Sequence, residues 1–215
     1  DIQFEQLRKI ITADKRIGSW GFYDSLYAGG SCFIKDARSL AHQLQTAGKD
    51  ATIVNETYVS NKRQLETFFA RAEKEVQFNW EGKTVALLGT AFKRDTNDVR
   101  NSPSIELVRY MQEKQVGTIN VYDPSALPMF QAMYPESDTL VYMTHEFEAM
   151  QNADVIIVAT DWPQFRGLAD VIITEIEKKP LIMDGRRMLQ HRYVDLSMAG
   201  CDILAVGSPL IRANV

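Results

Sequence analysis

The sequence is poor in the residues that bind metals or form disulfides. Its 215 residues include two cysteines, Cys32 and Cys201, and three histidines. No CxxC pair occurs, and the two cysteines lie far apart in the chain, so neither a disulfide scaffold nor a zinc site is expected. We therefore assign no metal. Isolated thiols of this kind are typical of a reducing compartment, and the cytoplasm is the expected location.

Basic blocks and long apolar runs are also missing. The formal net charge is −4, and no cluster of lysine and arginine or basic amphipathic helix is evident. Nucleic acid and acidic membrane surfaces are therefore not expected partners. No apolar run approaches the roughly 20 residues that cross a bilayer, so no membrane partner is expected either. An anionic ligand would have to be held by a few well-placed cations.

An initiator methionine is absent too. The chain opens on DIQFEQLRKIITADKRIG, which already shows helical periodicity, and we therefore expect it to be part of a longer protein. Hydrophobic residues make up 45% of the composition, which is ample for a packed core.

The chain shows two kinds of sequence pattern, one before and one after residue 80. Residues 1–80 are mostly helical, with one helix predicted from Ala37 to the stop at Gly48 and another through residues 53–72. Residues 81–215 contain six short β-rich runs, at 84–89, 118–123, 139–143, 154–160, 181–185 and 202–207. Strands that alternate with helices predict an α/β fold, a Rossmann-like open parallel sheet with helices on both faces, preceded by a mainly helical segment.

The connection after the first predicted strand is unusually long. It covers residues 89–101 and ends where Ser102 and Pro103 predict the start of a helix. It lacks the GxGxxG pattern, so a tightly bound dinucleotide pyrophosphate is not expected on this sheet. By itself it is equally well explained as a solvated charged loop. Its cations are Lys93, Arg94 and Arg100.

The octapeptide GGSCFIKD, residues 29–36, places Cys32 directly after a glycine pair. A helix that began near Lys35 and Asp36 would favour the thiolate through its N-terminal dipole and through the lysine. Such a cysteine would be an accessible nucleophile. Taken alone, the octapeptide is more simply explained as a flexible turn followed by a small apolar cysteine.

Six ordered stretches change that balance. They are RIG at 16–18, GGSCFIKD at 29–36, GTAFKRDTNDVRNSPS at 89–104, VYDP at 121–124, ADVIIVATDWPQF at 153–165 and DGRR at 184–187. In order and spacing they resemble the UDP-glucose/GDP-mannose dehydrogenase family. The resemblance implies a central, dimer-forming segment at 1–80 and a UDP-binding domain at 81–215. It also implies that the main NAD-binding domain lies outside this chain, and that the protein forms a homodimer or a larger homo-oligomer.

The resemblance further implies an activity and roles for particular residues. The family oxidises C6 of a nucleotide sugar twice with two NAD, and Cys32 matches the nucleophile, with Asp36 as the group that orients water or its neighbours. Lys35 and Arg100 match contacts to NAD. Contacts to the UDP-sugar are implied for Arg16, Tyr23, Gly29, Phe33, Phe92, Lys93 and Arg186, and Arg16 is expected to reach across a subunit boundary.

Other functions remain open beside UDP-glucose 6-dehydrogenation. The substrate could be GDP-mannose or another UDP-sugar, or the chain could be a non-catalytic nucleotide-sugar binding module or an oligomerisation domain. Retention of Cys32, Lys35 and Asp36 together argues against a binding module. One departure from the family pattern is Tyr27-Ala28, where the family has a glycine followed by an aromatic residue.

Several conspicuous residues are given structural roles. Arg94 is interpreted as a solvated surface charge, and Arg187 as a surface residue at a helix end. Asp123, before Pro124, is interpreted as a helix-entry cap, with ribose binding as the less favoured alternative. Cys201 is expected to be a buried, inert thiol.

Overall fold

The fold is organised around a six-stranded parallel sheet. A computed structural model describes residues 3–19, 22 and 25–214. The strands are β1 Thr84–Leu88, β2 Thr118–Tyr122, β3 Leu140–Tyr142, β4 Val155–Val158, β5 Leu181–Asp184 and β6 Ile203–Ala205. They follow the order β3-β2-β1-β4-β5-β6, and neighbours are parallel throughout. The six strands and the Rossmann-like α/β class predicted from the sequence are confirmed.

The strand order reverses between β1 and β4. From β1 the chain moves outward to β2 and β3, and it then returns to the other side of β1 to form β4, β5 and β6. Because crossovers between parallel strands are right-handed, this reversal places the connecting helices on opposite faces of the sheet. Every residue of β4 and β5 is buried, as expected for strands that are covered on both faces.

Helices surround the sheet and precede it. They are α1 Phe4–Ile11, α2 Cys32–Thr46, α3 Thr52–Val76, α4 Pro103–Glu113, α5 Leu127–Met133, α6 Glu146–Met150, α7 Leu168–Thr174 and α8 Tyr193–Met198. Short 3₁₀ turns occupy Pro163–Gly167 and Gln190–Arg192. Helix α4 starts where the sequence predicted, because the Ser102 hydroxyl caps it by accepting from the Ser104 amide at 3.3 Å.

Helix α3 joins the helical segment to the sheet. Its C-terminal half buries Leu65, Phe68 and Phe69 in the same core that contains the strands. The Phe69 ring stacks on Trp80 with 4.3 Å between ring centroids. Burial of a large apolar side chain stabilises a fold by about 1.5–3 kcal/mol, so these residues fix the helix firmly. A single hydrophobic core includes residues on both sides of residue 80. The domain boundary predicted there therefore stays a prediction.

The carboxylate of Asp123, directly after β2, accepts hydrogen bonds from three loops. Its Oδ2 accepts from the amides of Thr90 and Ala91 at 2.7 and 3.0 Å, and from the Trp162 indole at 3.0 Å. Its Oδ1 accepts from the two amides at 125 and 126, just before α5. Asp123 therefore has the predicted role at the entry to α5 and a further structural role. The buried carboxylate also holds the loop after β1 and the loop after β4.

We expect Asp123→Asn to lower the free energy of unfolding by about 2–3 kcal/mol, because an amide NH₂ would face donors that now share a carboxylate. Urea denaturation followed by circular dichroism measures the change. Asp138→Asn, at an exposed side chain, is the matched control and should leave the unfolding midpoint in place. Equal midpoints for the two variants would contradict the role given to Asp123.

Candidate functional site

A cleft of about 410 Å³ opens at the carboxyl edge of the sheet. Phe92, Lys93 and Arg94 follow β1, Asp161 follows β4 and Arg186 follows β5, while residues of the segment 25–29 form the facing wall. The cleft thus lies beside the point where the strand order reverses. In open α/β sheets this is the crevice in which ligands bind.

Arg186 is the most firmly held cation of the cleft. Its Nη2 lies 2.8 Å from Oδ1 of Asp161, and its Nη1 donates to the Ser25 hydroxyl at 2.9 Å. The side chain is only 13% exposed. Within the described residues its buried Nε has no hydrogen-bond partner. The cleft therefore contains an oriented guanidinium with an unused donor.

Asp184, the last residue of β5, shapes the turn that presents Arg186. Its buried carboxyl accepts from the amides of Arg186, Met188 and Leu189 and from the Tyr193 hydroxyl at 2.8–3.2 Å. Burial raises the pKa of this carboxyl, and the four donors act in the opposite direction by stabilising the carboxylate. The turn is thus fixed from inside the fold.

Lys93 and Arg94 occupy different electrostatic settings on the loop after β1. The Lys93 ammonium lies 5.4 Å from the centre of the Phe92 ring, and in the described part of the chain it forms no ion pair. The Arg94 guanidinium lies 3.6 Å from Asp95 and 4.0 Å from Asp161. Arg94 was interpreted as a plain surface charge, and that interpretation is wrong in part. It is half-exposed, but it lines the cleft because its loop folds back over Asp161.

The turn that precedes Cys32 is docked on this same loop. The Gly30 amide donates to the Arg100 carbonyl at 3.2 Å, and the Asn101 side-chain amide donates to the Gly30 carbonyl at 3.1 Å. A Cβ on Gly29 would lie 2.4 Å from the Asn101 carbonyl oxygen, and one on Gly30, which has φ +90°, would lie 2.9 Å from the Phe92 ring. Both glycines are needed because two loops touch here.

The backbone at Tyr27-Ala28 is held by hydrogen bonds to a residue of α3. The Ala28 amide donates to Oδ1 of Asn61 at 2.7 Å, and Nδ2 of Asn61 donates back to the Ala28 carbonyl at 3.1 Å. The buried Tyr27 contributes to the cleft wall. This segment, which departs from the family pattern, is therefore fixed to α3.

Cys32 is the first residue of α2, three positions earlier than the helix start considered from the sequence. Its thiol is exposed at the helix N-terminus, 3.8 Å from the Ser31 hydroxyl. One turn on, Lys35 and Asp36 form an ion pair at 3.2 Å, with both side chains mostly exposed. The expected neighbours of the cysteine are thus beside it, although Asp36 is engaged by Lys35.

Arg100 lies next to the cysteine turn and pairs with Asp98 at 2.7 Å. The hydrogen bond that Arg100 donates to Asp98 is the largest cause that raises the pKa of Arg100.

Two of the predicted substrate contacts, Phe33 and Arg16, do not line the cleft. Phe33 lines a separate apolar groove against α3, of about 320 Å³. Arg16 is 89% exposed and pairs with Asp14 at 2.6 Å. Tyr23 lies outside the described residues. The cleft does unite Gly29, Phe92, Lys93 and Arg186.

The turn after β1 does not fit a dinucleotide. A pyrophosphate would need free backbone amides there, but those of Thr90 and Ala91 already donate to Asp123. The two cations matched to NAD, Lys35 and Arg100, are surface residues paired with their own carboxylates. In the described residues, the amides of Thr90 and Ala91 are therefore not free to form a dinucleotide cradle.

No cluster of three metal-ligating side chains occurs among the described residues. Across the same residues, no helix combines the length and the apolar character that a bilayer span requires.

Sequence reasoning missed Asp161, Ser25 and Asn61, and it misplaced Arg187. Asp161 directly follows a buried strand next to β1, a position that could have flagged it. Ser25 and Asn61 carry no such signal, because their partners are distant in sequence. Arg187 is not a surface residue: it is buried with φ +51°, and its Nη1 donates to the Ser208 hydroxyl at 2.7 Å.

The strand order defines an α/β protein of the Rossmann type, with a cationic cleft at the carboxyl edge of its sheet. Comparison with known families narrows this class. The sequence model of the central domain of the UDP-glucose/GDP-mannose dehydrogenase family matches residues 1–63, and that of the family's UDP-binding domain matches residues 86–191. The chain belongs to the UDP-glucose/GDP-mannose dehydrogenase family.

Individual relatives agree with this assignment. A UDP-glucose 6-dehydrogenase of Pseudomonas aeruginosa is 35% identical over 99% of the chain and 47% of the relative. UDP-glucose 6-dehydrogenase TuaD of Bacillus subtilis is 30% identical over 94% of the chain and 42% of the relative. The solved UDP-glucose dehydrogenase of Pyrobaculum islandicum superposes with a TM-score of 0.73 and 27% identity, over 89% of the chain and 42% of that structure. The chain thus spans about half the length of the relatives it matches.

We expect the two thiols to differ sharply in reactivity. Cys32 is exposed, whereas burial raises the pKa of Cys201 to about 11. Iodoacetamide at neutral pH should therefore modify one thiol per folded chain, as counted by intact mass. Cys32→Ser should abolish that labelling and Cys201→Ser should preserve it. Equal labelling of both thiols in the folded chain would refute this assignment.

Proposed function

We propose that this chain supplies the nucleotide-sugar site and the cysteine nucleophile of a UDP-glucose 6-dehydrogenase. One observation carries the proposal: the turn that leads into Cys32 forms a wall of the same cleft that holds Lys93 and Arg186. The names of the relatives at 35% and 30% identity support UDP-glucose as the substrate. GDP-mannose or another UDP-sugar is the alternative, since the family includes such enzymes.

The charges of the cleft suit a diphosphate. Among the described residues that line the cleft, three cations, Lys93, Arg94 and Arg186, are opposed by one carboxylate, that of Asp161, which is an excess of two positive charges. A sugar nucleotide carries one negative charge on each of its two phosphates. Lys93 acts as a point charge, and the planar Arg186 supplies directional donors. The apolar Phe92 ring offers a surface for the rest of the ligand.

Cys32 then acts on the sugar end of that ligand. Its thiolate sulfur forms a bond to the C6 aldehyde carbon, and the carbonyl oxygen takes up a proton to give a hemithioacetal. Loss of hydride from C6 to the acceptor and of the proton from the hydroxyl then gives a thioester. Water then replaces sulfur at that carbon, which releases the carboxylate and the thiol. We assign Asp36, which is paired with Lys35 one turn along α2, to the orientation of that water.

Each of the two oxidations requires a hydride acceptor, which we propose to be NAD, as in the family. Because the amides of Thr90 and Ala91 are not free to form a dinucleotide cradle, we assign the described residues no hydride-transfer step. Lys35 and Arg100 are proposed as peripheral contacts to the cofactor. The free thiols agree with a cytoplasmic location.

We also propose that the enzyme is a homodimer or a larger homo-oligomer. The support is Arg16, which is 89% exposed and does not line the cleft of its own chain, so we assign it to a neighbouring subunit.

Lys93→Ala should weaken binding of UDP to the chain by about 1.5–3 kcal/mol, the usual contribution of a hydrogen bond to a charged group. Isothermal titration calorimetry measures the effect. Lys49→Ala, which removes an exposed lysine far from the cleft in sequence, is the matched control and should bind as the unsubstituted chain does. Similar losses in both variants would mean that only net charge matters.

The 215-residue chain alone should produce no NADH from UDP-glucose and NAD, although it should bind UDP. The physical reason is the occupied turn after β1, where Asp123 has taken the amides that a pyrophosphate would use. Absorbance at the NADH band, with protein free of host dehydrogenases, checks this expectation. NADH formation that tracks the purified chain would show that a cofactor site has been overlooked.

A further inference from the structure

Asp161 is an unexpected residue in a cleft that binds an anion. Its carboxylate follows β4 and is only 23% exposed, so a phosphate in the cleft would lie near a negative charge that is poorly screened by water. By itself that charge would oppose binding. Its contacts give another explanation.

Those contacts fix two parts of the cleft. Oδ1 of Asp161 lies 2.8 Å from Nη2 of Arg186 and accepts from the Arg94 backbone amide at 3.4 Å. Its other oxygen lies 4.0 Å from Nε of Arg94. The carboxylate therefore connects the loop after β1 with the turn after β5.

The guanidinium of Arg186 is held at both ends. Asp161 takes one terminal nitrogen and the Ser25 hydroxyl takes the other, so the plane of the group is set before any ligand arrives. Its buried Nε has no acceptor within the described residues. Each terminal nitrogen also retains a second hydrogen, because a guanidinium has five donors.

We propose that Asp161 is a positioning residue that orients Arg186 toward the phosphates of the bound nucleotide sugar. This rests on the proposed function, in that it takes the cleft as the diphosphate site. The orientation that Asp161 provides contributes more to binding than its negative charge costs, because a preorganised guanidinium loses little freedom when it meets the ligand.

The sign of one substitution separates this role from simple electrostatics. Asp161→Asn removes a negative charge from the cleft. If net charge alone set the affinity, this variant would bind UDP more tightly. Positioning expects the opposite, a loss of about 10- to 100-fold in affinity, the equivalent of one hydrogen bond to a charged group. Asp161→Glu, which keeps a carboxylate within reach of Arg186, should recover most of the affinity.

Asp95→Asn is the matched control. Asp95 lies on the same loop beside Arg94 and makes no contact with Arg186, and its φ of +60° is one that asparagine adopts readily. This variant removes the same charge and should bind UDP as tightly as the unsubstituted chain or slightly more tightly. Calorimetric titration of each full chain with UDP provides the affinities.

A double-substitution cycle locates the effect. In an Arg186→Ala background, Asp161→Asn should no longer weaken UDP binding, since the group that it positions is gone. Thermal unfolding of every variant without UDP shows whether a loss of affinity reflects loss of the fold. If Asp161→Asn does not fold, the Ser25→Ala chain decides the question: it releases the other end of the Arg186 guanidinium without a change of charge, so positioning expects weaker UDP binding and charge alone expects no change.

The outcomes are distinct. Failure of the unsubstituted chain to bind UDP would overturn the proposed function itself. Binding by the unsubstituted chain, together with equal or tighter binding by Asp161→Asn, would leave that function standing and overturn the positioning role. An undiminished effect of Asp161→Asn in the absence of Arg186 would also overturn it.

Discussion

The site depends on one close contact, that of the Gly29-Gly30 turn with the loop after β1. The two glycines lie so close to the Asn101 carbonyl and the Phe92 ring that a Cβ at either position would clash. Two hydrogen bonds, one to the Arg100 carbonyl and one from the Asn101 side-chain amide, complete the contact. Because Cys32 begins its helix two residues after this turn, the contact sets where the thiol lies. The thiol of Cys32 on the helical segment is thereby fixed relative to cations that follow the strands of the sheet.

That loop is in turn held from within the sheet. Asp123 takes the amides of Thr90 and Ala91, which has two consequences. It stiffens the loop that presents Phe92 and Lys93, and it uses the donors with which many Rossmann folds bind a pyrophosphate. The same carboxylate therefore leaves side chains farther along the loop, rather than these backbone amides, free to meet the ligand that we propose.

Much of this could be predicted from the sequence. Short β-rich runs gave the six strands, Ser102-Pro103 gave the start of α4, and the isolated cysteine after a glycine pair gave an exposed thiol. These predictions succeed because each depends on local backbone preference or on burial periodicity. The loop after β1 was also recognisable as longer than a connection requires, and the cleft proved to include its Phe92 and Lys93.

What the sequence by itself determined was therefore the order of elements and the kinds of side chain available at their ends. Only the tertiary structure decided which of these meet. Arg187, interpreted as a surface residue, turned inward to Ser208, while its neighbour Arg186 was oriented by Ser25 and Asp161. The reason is physical. Two adjacent arginines have similar local preferences, and their side-chain positions differ because each contacts partners that are distant in sequence and close in space.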